Sequence, residues 1–411
     1  MSAAHTDTGT AALGVCILTE TFHPVTGGGE TQARSLAEGL AAEGMRVHVI
    51  TRRSDAALAP VDTVGGVPVH RVGPAGPGQL KKWGLVFTGL VELARLRKRY
   101  DVLLVCGFRV LGIPAMLASL FSRKPCVLKA DSQGELSGAF FDAGLARLKL
   151  RHDRFPVSLA VKLRNLLLRR AACFVAMSAV IEQEYLALGV APDRIRRIPN
   201  SVDVGRFAPA DAARRKELRG RLDIPQDRRV AIYTGRLVTT KGLPSLLRAW
   251  REVAARCPDA LLVLVGSGGL GLQNCEALLR RQVREWGLED RVLFTGSVEN
   301  VHEYLQASDL FVFPTEREAF GISVIEAMAC GLPVITTGVD GIRDVVRPGL
   351  DALVVPPKDD AALAEVIVRG LQKGDAIDAM ASEARRRAVA EFSGTRVLAA
   401  YRELLAGLVR A

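Results

Sequence analysis

The sequence predicts an α/β protein of two doubly wound domains, each a parallel sheet covered by helices. Three observations predict it. From Leu13 onward, short apolar runs alternate with amphipathic segments of helix length, the signature of βαβ units. The alternation lapses into turn residues around Ile198 to Pro209 and then restarts. The chain has 411 residues, 49% of them apolar and 24% charged, enough for two domains at roughly 150 residues each.

In the first half the expected strands are Gly14–Thr19, Val47–Thr51, Val67–Val72, Val102–Cys106, Cys126–Lys129 and Cys173–Met177. Helix-length segments such as Glu30–Glu43, Leu85–Lys98 and Ser178–Leu188 lie between them. The second half repeats the plan with strands Val230–Thr234, Leu261–Val265, Val292–Phe294, Leu310–Phe313, Val334–Thr336 and Ala352–Val355. Its helices are Leu243–Arg256, Glu276–Trp286 and Ser323–Ala329. The polar segment Ala210–Arg221 extends the linker. The expected organisation is a disordered tail over 1–12, a first domain over 13–199, a second over 200–391, and a C-terminal helix over 392–411 able to cross back to the first. Two such domains facing each other hold their ligand in the cleft outside the carboxyl ends of both sheets.

Charge is unevenly placed. Residues 1–200 carry 26 basic against 16 acidic side chains, and residues 201–411 carry 29 against 28. Aromatics are sparse at 5%, which argues against a stacking platform for single-stranded nucleic acid. Cys16, Cys106, Cys126, Cys173, Cys257, Cys275 and Cys330 are odd in number and show no metal-ligand spacing, so they read as small core residues in a reducing, cytoplasmic setting. The first dozen residues lack a basic n-region and a long apolar stretch, and are read as a tail, not a signal peptide. The longest apolar run, around Ala171 to Ile181, falls short of the roughly 20 residues that span a bilayer.

The most informative stretch runs from Thr315 to Thr336. After the strand Leu310–Phe313, a polar loop holds Glu316, Arg317 and Glu318, and Gly321 opens a helix that Gly331 caps and Pro333 ends. The amides of Gly321, Ile322 and Ser323 are unpaired donors at a helix N-terminus, a ready site for a phosphate oxygen. Glu318 precedes that terminus and Glu326 lies about one and a half turns inside it, so both can reach one bound molecule. The plainer reading is that both carboxylates are solvated surface charges. Glu318-Ala319-Phe320-Gly321 followed by Glu326-Ala327-Met328-Ala329-Cys330-Gly331-Leu332-Pro333-Val334-Ile335 resembles the donor-binding signature of the family 4 glycosyltransferases (glycosyl transferases group 1). That family has the GT-B fold, two facing Rossmann-like domains, and retains anomeric configuration. The resemblance implies that Glu318 binds hydroxyls of a donor sugar and Glu326 the nucleotide ribose.

A second candidate loop, Gly235-Arg236-Leu237-Val238-Thr239-Thr240-Lys241-Gly242, follows the first strand of the second half. Arg236 and Lys241, five apart in a loop at a strand's carboxyl end, can converge on one anion; the plainer reading is ordinary surface charge. Arg offers a planar fork and Lys a point charge, suited to a leaving diphosphate. The string also resembles the family's diphosphate-binding motif. Ile198-Pro199-Asn200-Ser201-Val202-Asp203 resembles its interdomain turn, and Val265-Gly266-Ser267-Gly268 its glycine loop. Phe294-Thr295-Gly296-Ser297-Val298 resembles the segment whose backbone reads the nucleobase, which implies base contacts from Gly296 and Val298.

In the first half, three glycines, Gly27, Gly28 and Gly29, precede a helix and permit close backbone approach to a phosphate or sugar; a flexible loop with an N-cap is the alternative. Gly27 and Gly28 match the family's P-x-x-G-G, which contacts the donor. Many members carry a His after a later strand of this domain. Here Cys126–Lys129 leads into Ala130-Asp131-Ser132 with no His, so Asp131 or Ser132 takes that place, or the contact is absent. His23 is the histidine beside the glycine loop. Segment 81–99 has six basic residues against Glu92, and segment 147–170 eight against Asp153. Two readings stand: helices with solvated outer faces, or amphipathic segments on anionic lipid. Nucleic acid ranks below both, since no recognition motif accompanies the charge.

The resemblance implies a retaining enzyme that moves a sugar from a nucleotide-diphosphate donor, UDP- or GDP-linked, to a hydroxyl of a sugar, lipid-linked or small-molecule acceptor. It serves the synthesis of surface polysaccharide, glycolipid or glycoconjugate, in the cytoplasm or peripherally on the inner face of the plasma membrane. It implies no metal and no cofactor, the nucleotide sugar being a co-substrate. The competing readings are a nucleotide-sugar epimerase or phosphorylase on the same architecture, and an inactive basic binding module.

Overall fold

Fourteen strands form two sheets in the computed structural model, which describes residues 12–25, 27–76, 79–145, 151–269, 273–372 and 374–410, those at 79–83 and 143 by backbone alone. The tail expected over 1–12 lies, apart from Ala12, outside the described residues. The chain divides into two compact units. The first comprises residues up to Met177, Ile181–Ile198 and those from Leu398 on; the second comprises Ser178–Val180 and Pro199–Val397.

The first unit holds β1 (Gly14–Thr19), β2 (Arg46–Arg52), β3 (Val61–Val64), β4 (Val67–Val72), β5 (Val102–Cys106), β6 (Cys126–Lys129), β7 (Cys173–Ala176) and β8 (Ile195–Arg197), in the order β3-β4-β2-β1-β5-β6-β7-β8. Every pairing is parallel except β3 with β4. The pattern reading omitted that hairpin because β3 is short and mostly exposed. Its turn, Gly65-Gly66, has φ of +54° and +79°, the left-handed pair that a tight hairpin needs. β1, β5, β6 and β7 are buried throughout, as expected of strands covered on both faces.

The second unit holds β9 (Arg229–Thr234), β10 (Ala260–Val265), β11 (Val292–Gly296), β12 (Leu310–Phe313), β13 (Val334–Thr337) and β14 (Leu353–Val355), all parallel in the order β11-β10-β9-β12-β13-β14. Counted within the unit this is 3-2-1-4-5-6, the doubly wound order whose direction reverses between its first and fourth strands. The helix Leu243–Arg256 covers this sheet with Leu243, Leu246, Leu247, Trp250 and Val253 buried.

One expectation needs correcting. Ala210–Arg221 is not linker: Ala212–Arg221 is a helix of the second unit, with Asp211 as N-cap accepting from the Arg214 amide at 2.7 Å. Its polarity misled because its anchor is an ion pair. Arg219, 6% exposed, donates to Asp309 Oδ2 at 2.7 Å and to the Ala307 carbonyl at 2.9 Å, just before β12. All seven cysteines are free and buried. Among the described residues, no helix is long and apolar enough to cross a membrane.

Candidate active site

Parallel pairing places the carboxyl ends of β9 to β12 on one edge of the second sheet, and the two strands flanking the reversal carry the two most informative loops. After β9, Thr239–Lys241 makes a short 3₁₀ turn and Gly242 starts the next helix with φ +69°. A Cβ on Gly242 would stand 1.9 Å from the Pro314 carbonyl oxygen. Only glycine, which lacks that atom and tolerates positive φ, lets the loop after β9 close against the loop after β12. The Glu316 amide then donates to the Thr240 carbonyl at 2.9 Å. Buried Thr315 Oγ1 lies 2.8 Å from the Arg317 carbonyl and 3.3 Å from that of Thr240.

This closure brings Lys241 and Glu318 together. Lys241 Nζ lies 2.6 Å from Glu318 Oε2, the two side chains 16% and 15% exposed. Glu318 Oε1 accepts from the Ala319 amide at 3.0 Å, and the ammonium stands 5.3 Å from the Phe313 ring centre. Charge-assisted hydrogen bonds of this kind hold donor and acceptor in fixed directions. Beneath them Tyr233 stacks on Phe313 at 5.7 Å and donates to the Arg236 carbonyl at 2.9 Å. Burial and the nearby Glu318 hold the Tyr233 phenol well above its usual range, so it stays a hydrogen-bond donor. Arg236 itself is exposed, and its guanidinium makes no hydrogen bond or ion pair among the described residues.

The helix that Gly321 opens is Ile322–Ala329, and no side chain caps its N-terminus. Gly321 has φ +100°, and a Cβ there would meet Ile342 at 2.7 Å. At the other end Gly331 (φ +71°) donates to Met328 and Leu332 to Ala327, at 3.0 and 3.1 Å, a Schellman cap. Ile322 and Ser323 are half-buried at the start of the helix. Glu326, also half-buried, has its carboxyl pushed up to about 7 by removal from water, with Arg206 pulling the other way. Phe320 takes a different place from its neighbours. Phe320 is 2% exposed and its ring packs edge-on against Phe392 at 5.8 Å, so this side chain anchors the loop in the core.

The loops after β10 and β11 join the same edge. Gly266 (φ +133°) would place a Cβ 2.0 Å from the Gly235 carbonyl; its amide donates to Gly296 at 2.9 Å, and the Leu237 amide to Ser267 at 2.9 Å. Ser267 and Ser297 hydroxyls lie 2.8 Å apart. Gly296 (φ +70°) faces open space where a Cβ would stand, and Val298 is half-buried beyond it. One contributor escaped the sequence reading. A Cβ on Gly341 would stand 2.4 Å from the Glu318 carbonyl oxygen, so the turn after β13 presses on the Glu318 loop from behind. The Gly338…Gly341 spacing after a strand was the available signal.

In the first unit the strand order reverses between β1 and β5. Gly27 and Gly28 are exposed at the N-terminus of the helix Gly28–Ala42, and Thr26 lies outside the described residues. Asp131, after β6, meets both flanking loops. Its Oδ2 lies 3.6 Å from where a Gly29 Cβ would stand and 3.0 Å from that of Gly107. Lys129, its side chain 5% exposed, grips Asp131 Oδ1 at 2.7 Å. The Ser132 hydroxyl instead turns to Glu135 Oε1 at 3.2 Å. Burial pushes the Glu135 carboxyl up to about 7, Asp131 adds to the rise and Arg109 opposes it. His23 Nδ1 accepts from the Arg34 guanidinium at 3.3 Å, and among the described residues no cluster of His, Cys, Asp and Glu could hold a metal ion.

Residues 214–387 match the family model described as glycosyl transferases group 1, and residues 27–201 match that of a glycosyl transferase 4-like domain. A D-inositol 3-phosphate glycosyltransferase of Streptomyces scabiei is 30% identical over 360 residues, covering 83% of this chain and 78% of that protein. Among solved structures, Anabaena HepE in complex with UDP and glucose superposes with a TM-score of 0.76 at 20% identity, over 96% of this chain and 99% of its own. Sucrose-phosphate synthase of Thermosynechococcus elongatus gives 0.75 at 25% identity, over 96% and 100%.

Proposed function

The chain belongs to the group 1 glycosyltransferases, with their GT-B fold of two parallel-sheet domains, and from that premise we propose that it transfers a sugar from a nucleoside-diphosphate donor to an acceptor hydroxyl with retention of configuration. The observation that carries this reading is the Lys241–Glu318 pair at the strand-order reversal of the second sheet. In doubly wound sheets that point is where a nucleotide binds. Arg236 and Lys241 stabilise the charge that grows on the departing diphosphate, and the N-terminal amides of the helix at Gly321, with those of Ile322 and Ser323, add partial positive charge. Glu318 accepts hydroxyls of the donor sugar, Glu326 those of the ribose, and the main chain at Gly296 and Val298 meets the base. A UDP-sugar leads, since HepE was captured with UDP, and a GDP-sugar follows.

The acceptor falls to the first unit, where the exposed Gly27 and Gly28 leave room for a phosphate or sugar and Asp131, oriented by Lys129, receives an acceptor hydroxyl. Ser132, turned to Glu135, supports that loop. The enzyme then works peripherally on the cytoplasmic face of a membrane, in the synthesis of polysaccharide, glycolipid or glycoconjugate, with neither metal nor cofactor in the reaction. The test is a panel of UDP- and GDP-sugars with the stereochemistry of the product, D-inositol 3-phosphate and lipid-linked sugars serving as acceptors. Lys241→Ala and Glu318→Ala each lower turnover about a hundredfold or more, as the loss of a transition-state charge contact does, while circular dichroism stays unchanged. Wild-type rates in both variants overturn the assignment.

A further inference from the structure

The exposed phenylalanines among the described residues, Phe87, Phe121, Phe140 and Phe155, all belong to one part of the first unit. They lie on or beside helices that pack in a layer, Gln79–Arg95 against Phe108–Ser122 and the latter against Val157–Leu168.

The helix Val157–Leu168 turns an apolar stripe outward. Leu159, Leu163 and Leu166, spaced four and three so that they form one stripe, are 49%, 61% and 59% exposed. Arg164 and Asn165 face the protein instead. Asn165, 6% exposed, donates to the Leu136 carbonyl at 2.8 Å. Arg164 donates to the carbonyls of Arg109, Glu135 and Leu136 at 3.2, 2.9 and 2.7 Å. The inward face is thus held by these polar bonds beside the buried Leu168, and among the described residues the apolar stripe on the outer face is left uncovered.

Cations frame that stripe. Arg154, Lys162, Arg169 and Arg170 are exposed and make no side-chain hydrogen bond or ion pair among the described residues. The one acid between 151 and 170, Asp153, is taken by Arg151 at 3.0 Å. In the second unit, by contrast, Arg214, Arg219, Arg229, Arg256, Arg347 and Arg387 each hold a carboxylate. Unpaired cations beside exposed leucines are the chemistry of an interfacial helix.

We propose that Val157–Leu168 lies in the plane of an anionic bilayer, with Phe155, Leu159, Leu163 and Leu166 at the acyl boundary and Arg154, Lys162, Arg169 and Arg170 on lipid phosphates. Charge complementarity selects this occupant: a second copy of the chain would set cation against cation, while an anionic leaflet answers the apolar stripe and the unpaired charges together. Through Arg164 the helix is tied to the loop that begins at Asp131, so docking sets that loop at the lipid surface. The inference stands apart from the donor chemistry.

Sedimentation of the full chain with phosphatidylglycerol-containing vesicles, against pure phosphatidylcholine vesicles, tests it. Binding to the anionic vesicles and not to the neutral ones is expected, weakening with salt. Leu159→Ser/Leu163→Ser/Leu166→Ser lowers the affinity about tenfold or more, and Lys162→Glu/Arg169→Glu/Arg170→Glu abolishes it, each cation being worth about fivefold. Both variants keep wild-type donor hydrolysis in solution and wild-type circular dichroism. Equal sedimentation with the two vesicle types, or full binding by the folded leucine variant, overturns the proposal whatever the donor turns out to be.

Discussion

Lys241 and Glu318 neutralise one another 77 residues apart in the chain, and each is the other's guide to direction. Glu326 stands differently: no side-chain hydrogen bond holds its carboxyl among the described residues, and removal from water pushes it from 4.5 up to about 7. A carboxylate accepts hydrogen bonds from hydroxyls at both oxygens, and the protonated acid gives up part of that capacity. If Glu326 meets the ribose, the KM for donor falls several-fold as pH rises through about 7, and Glu326→Gln flattens that step. A variant that keeps the step shows that another group titrates. Stability runs the opposite way. The folded state holds a proton that the unfolded chain sheds above 4.5, so this group's contribution is full below that value and is lost as pH climbs to about 7. At the residue scale the sequence disclosed which side chains have the right chemistry, because strand, loop and helix follow one another in order. It did not disclose that Lys241 lies on Glu318, or that the Phe320 ring turns into the core against Phe392. Those are facts of packing between segments distant in sequence.

Strands were legible at the scale of elements because a buried parallel strand is a mostly apolar run: β1, β5, β6 and β12 begin and end where the expected strands do. The elements that escaped are those whose stability comes from elsewhere. β3 rests on a hairpin turn, and Ala212–Arg221 on the buried Arg219–Asp309 pair, so neither shows apolar periodicity. The element most sensitive to a single atom is the junction of the loops after β9 and β12. With φ +69° and the Pro314 carbonyl 1.9 Å from a would-be Cβ, Gly242→Ala must move backbone, not a flexible side chain. The variant should lose about 2 kcal/mol or more of stability and fall at least as far in turnover as Lys241→Ala, since the shift carries Lys241 off Glu318. Denaturant melts and kcat together check this; a stable, active Gly242→Ala enzyme would mean that the two loops do not need to touch.

The chain as a whole leaves the first unit at Ile198, builds the second, and returns with the helix Gly394–Arg410, whose residues from Leu398 belong to the first unit again. That return is structural in a literal sense. Tyr401 is 2% exposed and Leu405 fully buried, Leu398 lies 3.0 Å from where a Gly39 Cβ would stand, and Arg402 reaches Glu43 at 3.4 Å. Burial holds the Tyr401 phenol above its usual range, and its neighbour Lys129 pulls against that rise, so the returning helix also lines the back of the Lys129–Asp131 pair. Hence the first unit is completed by residues that follow the whole of the second. Tyr401→Ala, which empties a buried aromatic site, should cost the first unit about 3–5 kcal/mol. Deleting residues 398–411 should do more, removing Leu405 and the Gly39 contact as well. Amide exchange resolves the two units: in Tyr401→Ala, protection should fall across β1, β5, β6 and Gly28–Ala42 and persist across β9 to β14. Loss spread evenly over both sheets, or none in the first, would show that the helix is not what holds the first unit closed.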